Sequence, residues 1–243
     1  MQPENQTNEL GLAIGFDVKD WDCAQTPNDN VLQGKYCCCE PLNLERHSDQ
    51  LFNAYKQDLE NRVWVYLPYG PFDNIGSYRD WMNTTCFNGD PKFYAVVDNV
   101  TKQAIGVASY LRIKPIQGSI EVGHINYSPQ CQSTIAATEA MYLMMKNAFD
   151  MGYRRYEWKC NALNKESCNA AKRLGFTYEG TFRQMLVVKG RNRDSAWYSL
   201  LDREWPVIEK AFQQWLCADN FDDQAQQKIA LSALTRDALA ALQ

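Results

Sequence analysis

The chemistry this chain can do begins with a histidine, a glutamate and the start of a helix. His124 has a reference pKa of about 6.5, which suits a group that takes a proton from a substrate near neutral pH. It lies in Glu121-Val122-Gly123-His124-Ile125-Asn126-Tyr127-Ser128-Pro129, a strand-like run closed by a proline that cannot donate to a sheet ladder. Glu121 stands an odd number of residues away. Regular alternation therefore puts the two side chains on opposite faces, and they can serve one site only across a bulge. Directly after comes Gln132-Ser133-Thr134-Ile135-Ala136-Ala137-Thr138, where a helix opens on small and capping residues. Such an opening leaves unpaired backbone N–H groups at the positive end of the helix dipole, which is a site for a phosphate-like anion. No Lys or Arg lies in the stretch, so anion binding there rests on the backbone.

Other residues admit two readings each. Trp64, Tyr66, Tyr69 and Phe72, with Trp81, make either a packed aromatic lid or the wall of an acceptor pocket. Arg183, Arg191 and Arg193, with Asp194, are either a solvated hairpin or a fork for a substrate carboxylate. Asn164 and Ser167 suit the start of a helix as capping residues. The nine cysteines are odd in number and lack Cys-x-x-Cys spacing, and there are only two histidines, so no zinc site is expected. Cys37, Cys38 and Cys39 would alternate between the faces of a strand and cannot converge on one metal. They read as small buried side chains in a reducing compartment.

These residues must be positioned by a well-filled domain. The chain has 243 residues, 25 Lys and Arg against 29 Asp and Glu, and a net charge of −4. An acidic balance argues against a nucleic-acid partner. No apolar run approaches a membrane span, and Met1–Leu10 lacks a basic start followed by an apolar stretch, so a cytoplasmic protein is expected, with no membrane partner. Residues 1–34 read as a polar arm. Residues 35–205 form the main domain, with strands predicted at 35–41, 92–97, 104–113, 119–127, 153–160, 176–188 and 196–201. Helices are predicted at 44–59, 75–86, 133–151 and 165–174. Residues 206–243 make a helical extension, its last helix drawn from Ala225. The expected class is α/β (α+β): a mixed, mostly antiparallel twisted sheet of about seven strands with helices on both faces.

The order of these elements, with the three stretches Glu121–Pro129, Gln132–Ala140 and Asn164-Lys165-Glu166-Ser167 through Leu174-Gly175-Phe176 and Glu179-Gly180 to Tyr198–Leu201, resembles the GCN5-related N-acetyltransferase (GNAT) superfamily. Within it, the chain is similar to the ribosomal-protein N-terminal acetyltransferase branch (RimJ/RimL-like). The resemblance implies an acetyl-CoA-dependent transfer of an acetyl group to a primary amine by direct attack on the thioester, with coenzyme A as product and no metal. It implies that Gln132, Ser133, Thr134, Ile135, Ala136, Ala137 and Thr138 wrap the pyrophosphate. Ile125, Asn126 and Tyr127 would lie along the pantetheine arm, with a backbone N–H there receiving the thioester oxygen. Asn164 would bind the same arm and Ser167 would protonate the departing thiolate. Glu121 is the first candidate for general base and His124 the second, each against a plainer reading: Glu121 as a hydrogen-bonded strand residue and His124 as a packed core histidine. Trp64, Tyr66, Tyr69, Phe72 and Arg183 would face the acceptor, a small-molecule or protein N-terminal amine, and a homodimer is possible. The chain departs from the family pattern at Ile135, where a glycine is expected, and at Ala171, where many members have an acidic tyrosine. It also lacks a glutamate soon after Glu179-Gly180. These departures keep open an alternative, a catalytically silent acyl-CoA-binding module on the same fold.

Overall fold

A computed structural model describes residues 4–19, 21–224 and 226–242. A short hairpin, β1 (Gln6–Thr7) and β2 (Ala13–Ile14), precedes the main sheet. The sheet is built from β3 (Leu32–Gln33), β4 (Cys37–Pro41), β5 (Lys92–Asp98), β6 (Ala104–Lys114), β7 (Ser119–Tyr127), β8 (Arg155–Asn161), β9 (Thr177–Val188) and β10 (Arg191–Leu201). The strands lie in the order β3-β4-β5-β6-β7-β8-β10-β9. Eight strands rather than about seven result because Leu32–Gln33, at the end of the segment read as an arm, pairs with Cys38–Cys39. Only the β7–β8 pair is parallel; the other neighbours are antiparallel.

Helices α1 (Leu44–Tyr55) and α2 (Ile75–Thr85) cover one face. The other face carries α3 (Ile135–Asp150), α4 (Lys165–Arg173), α5 (Trp205–Leu216) and α6 (Leu231–Ala240). Local chemistry sets their starts. Asn43, Asn74, Thr134 and Asn164 are N-caps whose side chains accept the N–H of Arg46, Ser77, Ala137 and Ser167. Helix α3 runs through Ala, Met, Leu and Glu and gives way to Gly152 at φ +88°. The last helix is shorter than expected and begins at Leu231; Ala225 lies outside the described residues.

The strand β5 shows how both layers are filled. Tyr94 and Val96 pack toward α3, with Ile120, Val122, Tyr156 and Met144, while Phe93, Ala95 and Val97 pack toward α1 and α2, with Leu51, Tyr78 and Met82. A strand buried on both faces reads as a continuous apolar run, which is what Phe93–Val97 is. Cys37 and Cys39 face α3 and Cys38 faces the opposite core, as strand alternation requires. The extension belongs to the domain: Ile208, Phe212 and Trp215 of α5 are buried in the α3 core. Glu139 of α3 is buried and accepts the N–H groups of Lys35, Tyr36 and Cys37 at 2.8, 2.7 and 2.8 Å. Those three bonds compensate its desolvation and fasten the start of α3 to β4.

Candidate active site

The site forms where β7 and β8 part. Their pairing runs from Ser119↔Arg155 to Val122↔Trp158 and stops, although β7 continues to Tyr127 and β8 to Asn161. Beyond Val122 the edge of β7 that faces β8 is without a ladder, so the backbone groups there that no side chain engages are open to a ligand. On its other edge β7 pairs Gly123 with Ser109 and Asn126 with Val107, leaving His124 and Ile125 opposite Ala108 alone. This is a β-bulge, with His124 at φ +48°. The bulge turns His124 onto the α1/α2 face, where alternation from the buried Ile120 and Val122 also puts Glu121. The two candidate bases thus share a face.

His124 stacks on Tyr69 with ring centroids 5.6 Å apart, and its Nδ1 shares a hydrogen bond with the Tyr69 hydroxyl at 3.1 Å. Phe93 packs on it at 5.1 Å, and the Tyr55 hydroxyl donates to the Asn126 carbonyl at 2.9 Å, holding the strand just past the bulge. Burial, assisted by the positive charges of Arg112 and Arg193, pushes the His124 pKa down to about 4. The ring is neutral at pH 7. Glu121 is differently placed. It is 2% exposed, and its carboxylate accepts Arg112 Nε and Nη2 at 2.7 and 2.8 Å and Lys159 Nζ at 2.9 Å. Lys159 also reaches Glu157 at 2.7 Å and lies 3.6 Å over the Trp197 ring. The Glu121 oxygens are already engaged by cations, which is the hydrogen-bonded strand role, though spacing did not reveal the partners.

The turn expected to bind an anion leads from β7 into α3. Thr134 caps Ala137 at 3.1 Å, and Ile135 and Ala136, in the first turn, have N–H groups that no helical carbonyl can reach. Ser133, at φ +60°, is the residue that takes the left-handed conformation. Ile135 has a helical backbone, so its β-branch meets no conformational obstacle where a glycine was expected. Gln132 is exposed and its Nε2 closes the turn on the Tyr127 carbonyl at 2.9 Å. A cation does reach this turn, from another element: Arg173 Nη2 of α4 donates to Thr138 Oγ1 at 3.2 Å. Among the described residues Arg173 has no carboxylate partner, and burial pulls its pKa down. Sequence reasoning missed Arg173 because α3 and α4 are far apart along the chain.

Asn164 Oδ1 accepts the Ser167 N–H at 3.1 Å, which leaves its amide NH2 to donate elsewhere. Trp158 Nε1 donates to Ser167 Oγ at 3.0 Å, so the hydroxyl keeps its own proton to donate, with the Cys160 sulfur as one acceptor beside it. The capping reading of Asn164 is therefore seen, and it is compatible with ligand contact. Cys160 and Cys168 lie beside them with sulfurs 3.6 Å apart, and burial raises the Cys160 thiol to about 12, so it is not a thiolate at pH 7.

The aromatic residues divide. Trp64 is buried against Tyr55 and Phe72, with centroids 4.9 and 5.4 Å away, and Gly70, at φ +64°, leaves room for its ring where a Cβ would clash. Tyr66 is exposed and its hydroxyl donates to the Leu163 carbonyl at 3.3 Å, joining this loop to the one before α4. Tyr69, through His124, is the member that borders the cleft. Arg183 is exposed on β9. Arg193 is the half-buried guanidinium of that cluster: its Nε is buried with no hydrogen-bond partner among the described residues.

Residues 40–177 match the acetyltransferase (GNAT) domain family. Among solved structures, a GCN5-related N-acetyltransferase from Brucella melitensis is 40% identical, with a TM-score of 0.88 over 90% of this chain and 100% of that one. The uncharacterized N-acetyltransferase p20 of Bacillus licheniformis is 26% identical over 166 residues, covering 67% of this chain and 92% of that one.

Proposed function

Because this chain belongs to the GNAT acetyltransferases, we propose that it is an acetyl-CoA-dependent enzyme acting on a primary amine, which attacks the thioester directly in the gap between β7 and β8. One observation carries the reading. The ladder between the parallel strands ends at Val122↔Trp158, and α3 opens beside that gap with free N–H groups and Arg173 at its first turn. A diphosphate fits this turn, because it supplies the negative charge that Arg173 and the helix start lack. Acetyl-CoA would supply the activated acyl group. Ser133 to Ala136 and Arg173 would hold its diphosphate, the open edge of β7 and the Asn164 amide its pantetheine arm, and the Ser167 hydroxyl would face the sulfur.

The amine must be neutral to attack. Arg112, Lys159 and Arg193 surround the cleft against Glu121 and Glu157, and an excess of positive charge lowers the pKa of an amine placed there. An α-amine, with a reference pKa of about 7.7–8.0, then needs little help, whereas a lysine-type amine at about 10.4 needs more. His124 receives the amine's hydrogen bond, Glu121 positions Arg112 and Lys159, and Arg193 offers its unpaired guanidinium to an acidic group on the acceptor. Free thiols at all nine cysteines fit a reducing, cytoplasmic setting, and among the described residues no helix is long and apolar enough to cross a membrane.

The test is calorimetric titration with acetyl-CoA, then turnover over a panel of amino acids, N-terminal peptides and polyamines. Coenzyme A release is read by chromatography, because the protein's own thiols would react with a disulfide dye. Binding with turnover fastest on α-amines bearing a carboxylate is expected. Binding with no turnover across the panel would identify the silent acyl-CoA module instead, and absence of binding would overturn the site.

A further inference from the structure

The free thiols differ in contact and in access to solvent. Cys37, Cys39 and Cys131 neighbour one another but are fully buried. Cys38 and Cys86 are buried in the α1/α2 core, and Cys23 and Cys217 are exposed. Among the described residues, one pair combines contact with access. Cys160 of β8 is buried, Cys168 of α4 is half-buried, and their sulfurs are 3.6 Å apart. Cys160 is held in the ladder opposite Ala196 of β10. The Cys168 N–H donates to the Asn164 carbonyl at 3.0 Å and so closes the first turn of α4. That turn also carries Ser167, whose Oγ accepts Trp158 Nε1 at 3.0 Å and lies beside the Cys160 sulfur. The two thiols therefore bridge β8 and the turn that holds both Asn164 and Ser167.

We infer that Cys160 and Cys168 form a thiol–disulfide exchange site, which a small-molecule disulfide closes into an intramolecular Cys160–Cys168 bond that slows acetyl transfer. The effect on transfer rests on the acetyl-CoA reading above; the bond itself does not. Cys168, the accessible thiol, gives up its proton and attacks one sulfur of the small disulfide. The reagent's S–S bond breaks, and the departing thiolate takes up a proton as the first small thiol. The Cys160 sulfur, losing its own proton, then attacks the Cys168 sulfur and expels the second small thiol. Two protein thiols are oxidised and one disulfide is reduced to two thiols. Burial raises the Cys160 thiol to about 12, so Cys168 reacts first, and contact with the Cys168 sulfur lets Cys160 complete the exchange from where it lies. The sulfurs must approach by about 1.5 Å to bond. That motion draws the first turn of α4 toward β8, carries Asn164 and Ser167 with it, and takes the Cys160 thiol from beside the Ser167 hydroxyl. A bond of this kind in a reducing setting is transient, and a reductant reopens it.

The experiment incubates the full chain with oxidised glutathione, traps the remaining thiols with N-ethylmaleimide under denaturing conditions, and reads tryptic peptides by mass spectrometry. Cleavage after Lys159, Lys165 and Lys172 leaves each cysteine on its own peptide, Cys160–Lys165 and Glu166–Lys172. These two peptides are expected to be linked, and dithiothreitol should separate them. Cys160→Ser should retain a glutathione on Cys168, whereas Cys168→Ser should show neither the link nor an adduct at Cys160. Acetyl transfer by the oxidised wild type should be slower by about tenfold or more, as misplacing groups near the chemistry by about 1 Å makes it, and dithiothreitol should restore it. The oxidant should leave the turnover of Cys168→Ser unchanged; that variant keeps the exposed Cys23 and Cys217 and so controls for adducts there. Glutathione left on Cys168 of the wild type without a link, or a link with undiminished turnover, would overturn this proposal and leave the acetyl-CoA reading standing. Absence of turnover in the reduced enzyme would overturn that reading and the effect on transfer with it, while the peptide link is read regardless.

Discussion

Replacing Glu121 with Gln separates a pillar of the fold from a proton acceptor. The carboxylate is buried and holds Arg112 at 2.7 and 2.8 Å and Lys159 at 2.9 Å. Glutamine keeps the volume and one acceptor but turns an NH2 toward the cations. Removing one partner of a buried ion pair costs about 3–5 kcal/mol, because the other charge stays desolvated. Two features reduce that figure: Lys159, with its side chain 7% exposed, still has Glu157 at 2.7 Å, and Arg112 is 55% exposed. The expected loss is about 2–3 kcal/mol. For a chain of this size that lowers the melting temperature by roughly 5–10 °C. Urea and thermal unfolding of Glu121→Gln, Arg112→Gln and the double variant give the coupling energy, expected at about 1–2 kcal/mol. Turnover measured well below both melting temperatures should fall less than tenfold, whereas loss of a general base costs about 10²–10⁴-fold. A variant as stable as the wild type and a hundredfold slower would refute this reasoning and restore Glu121 as the base.

Three further outcomes can be checked directly. Ala137→Glu places a carboxylate at the third position of α3, where it can reach back to the Thr134 N–H, so it competes with the diphosphate. Coenzyme A affinity should drop at least tenfold, about 1.4 kcal/mol, and unchanged affinity in a titration would mean that the anion site is elsewhere. His124 titrates at about 4 folded, against an ordinary 6.5 unfolded. Below pH 6.5 the unfolded chain therefore binds a proton that the folded one refuses, and stability falls by about 3 kcal/mol as pH drops toward 4. His124→Gln should remove that part of the slope in urea titrations between pH 4.5 and 7.5, and identical slopes would contradict the burial argument. Glu139→Gln turns an NH2 toward at least one of the N–H donors at Lys35, Tyr36 and Cys37. It should cost about 2–3 kcal/mol by thermal unfolding, and a loss under about 0.5 kcal/mol would show that α3 is fastened otherwise.

Much of the frame was legible because its causes are local. Thr134 and Asn164 start helices where capping chemistry says they should, and β7 occupies the predicted Ser119–Tyr127. The spacing predicts β10 from Ala196, whereas in the structure it begins at Arg191, because its charged residues stand on a hairpin whose outer strand, β9, faces water and carry no apolar alternation. The periodicity likewise predicts a last helix from Ala225 to Leu242, whereas the structure gives Leu231–Ala240, since periodicity does not mark where packing on α4 and α5 ends.

The order of residue types along the chain determined the domain, the strand and helix that flank the site, and the family to which the chain belongs. Tertiary structure alone decided which side chains meet there. The bulge that turns His124 to the face of Glu121 depends on how β6 counts residues against β7. Arg173 at Thr138 and Lys159 at Glu121 depend on elements brought together across many residues. Capping and periodicity act over a few residues and leave their mark in sequence. Register, burial and charge pairing arise between elements distant in the chain, so they exist only once it is folded.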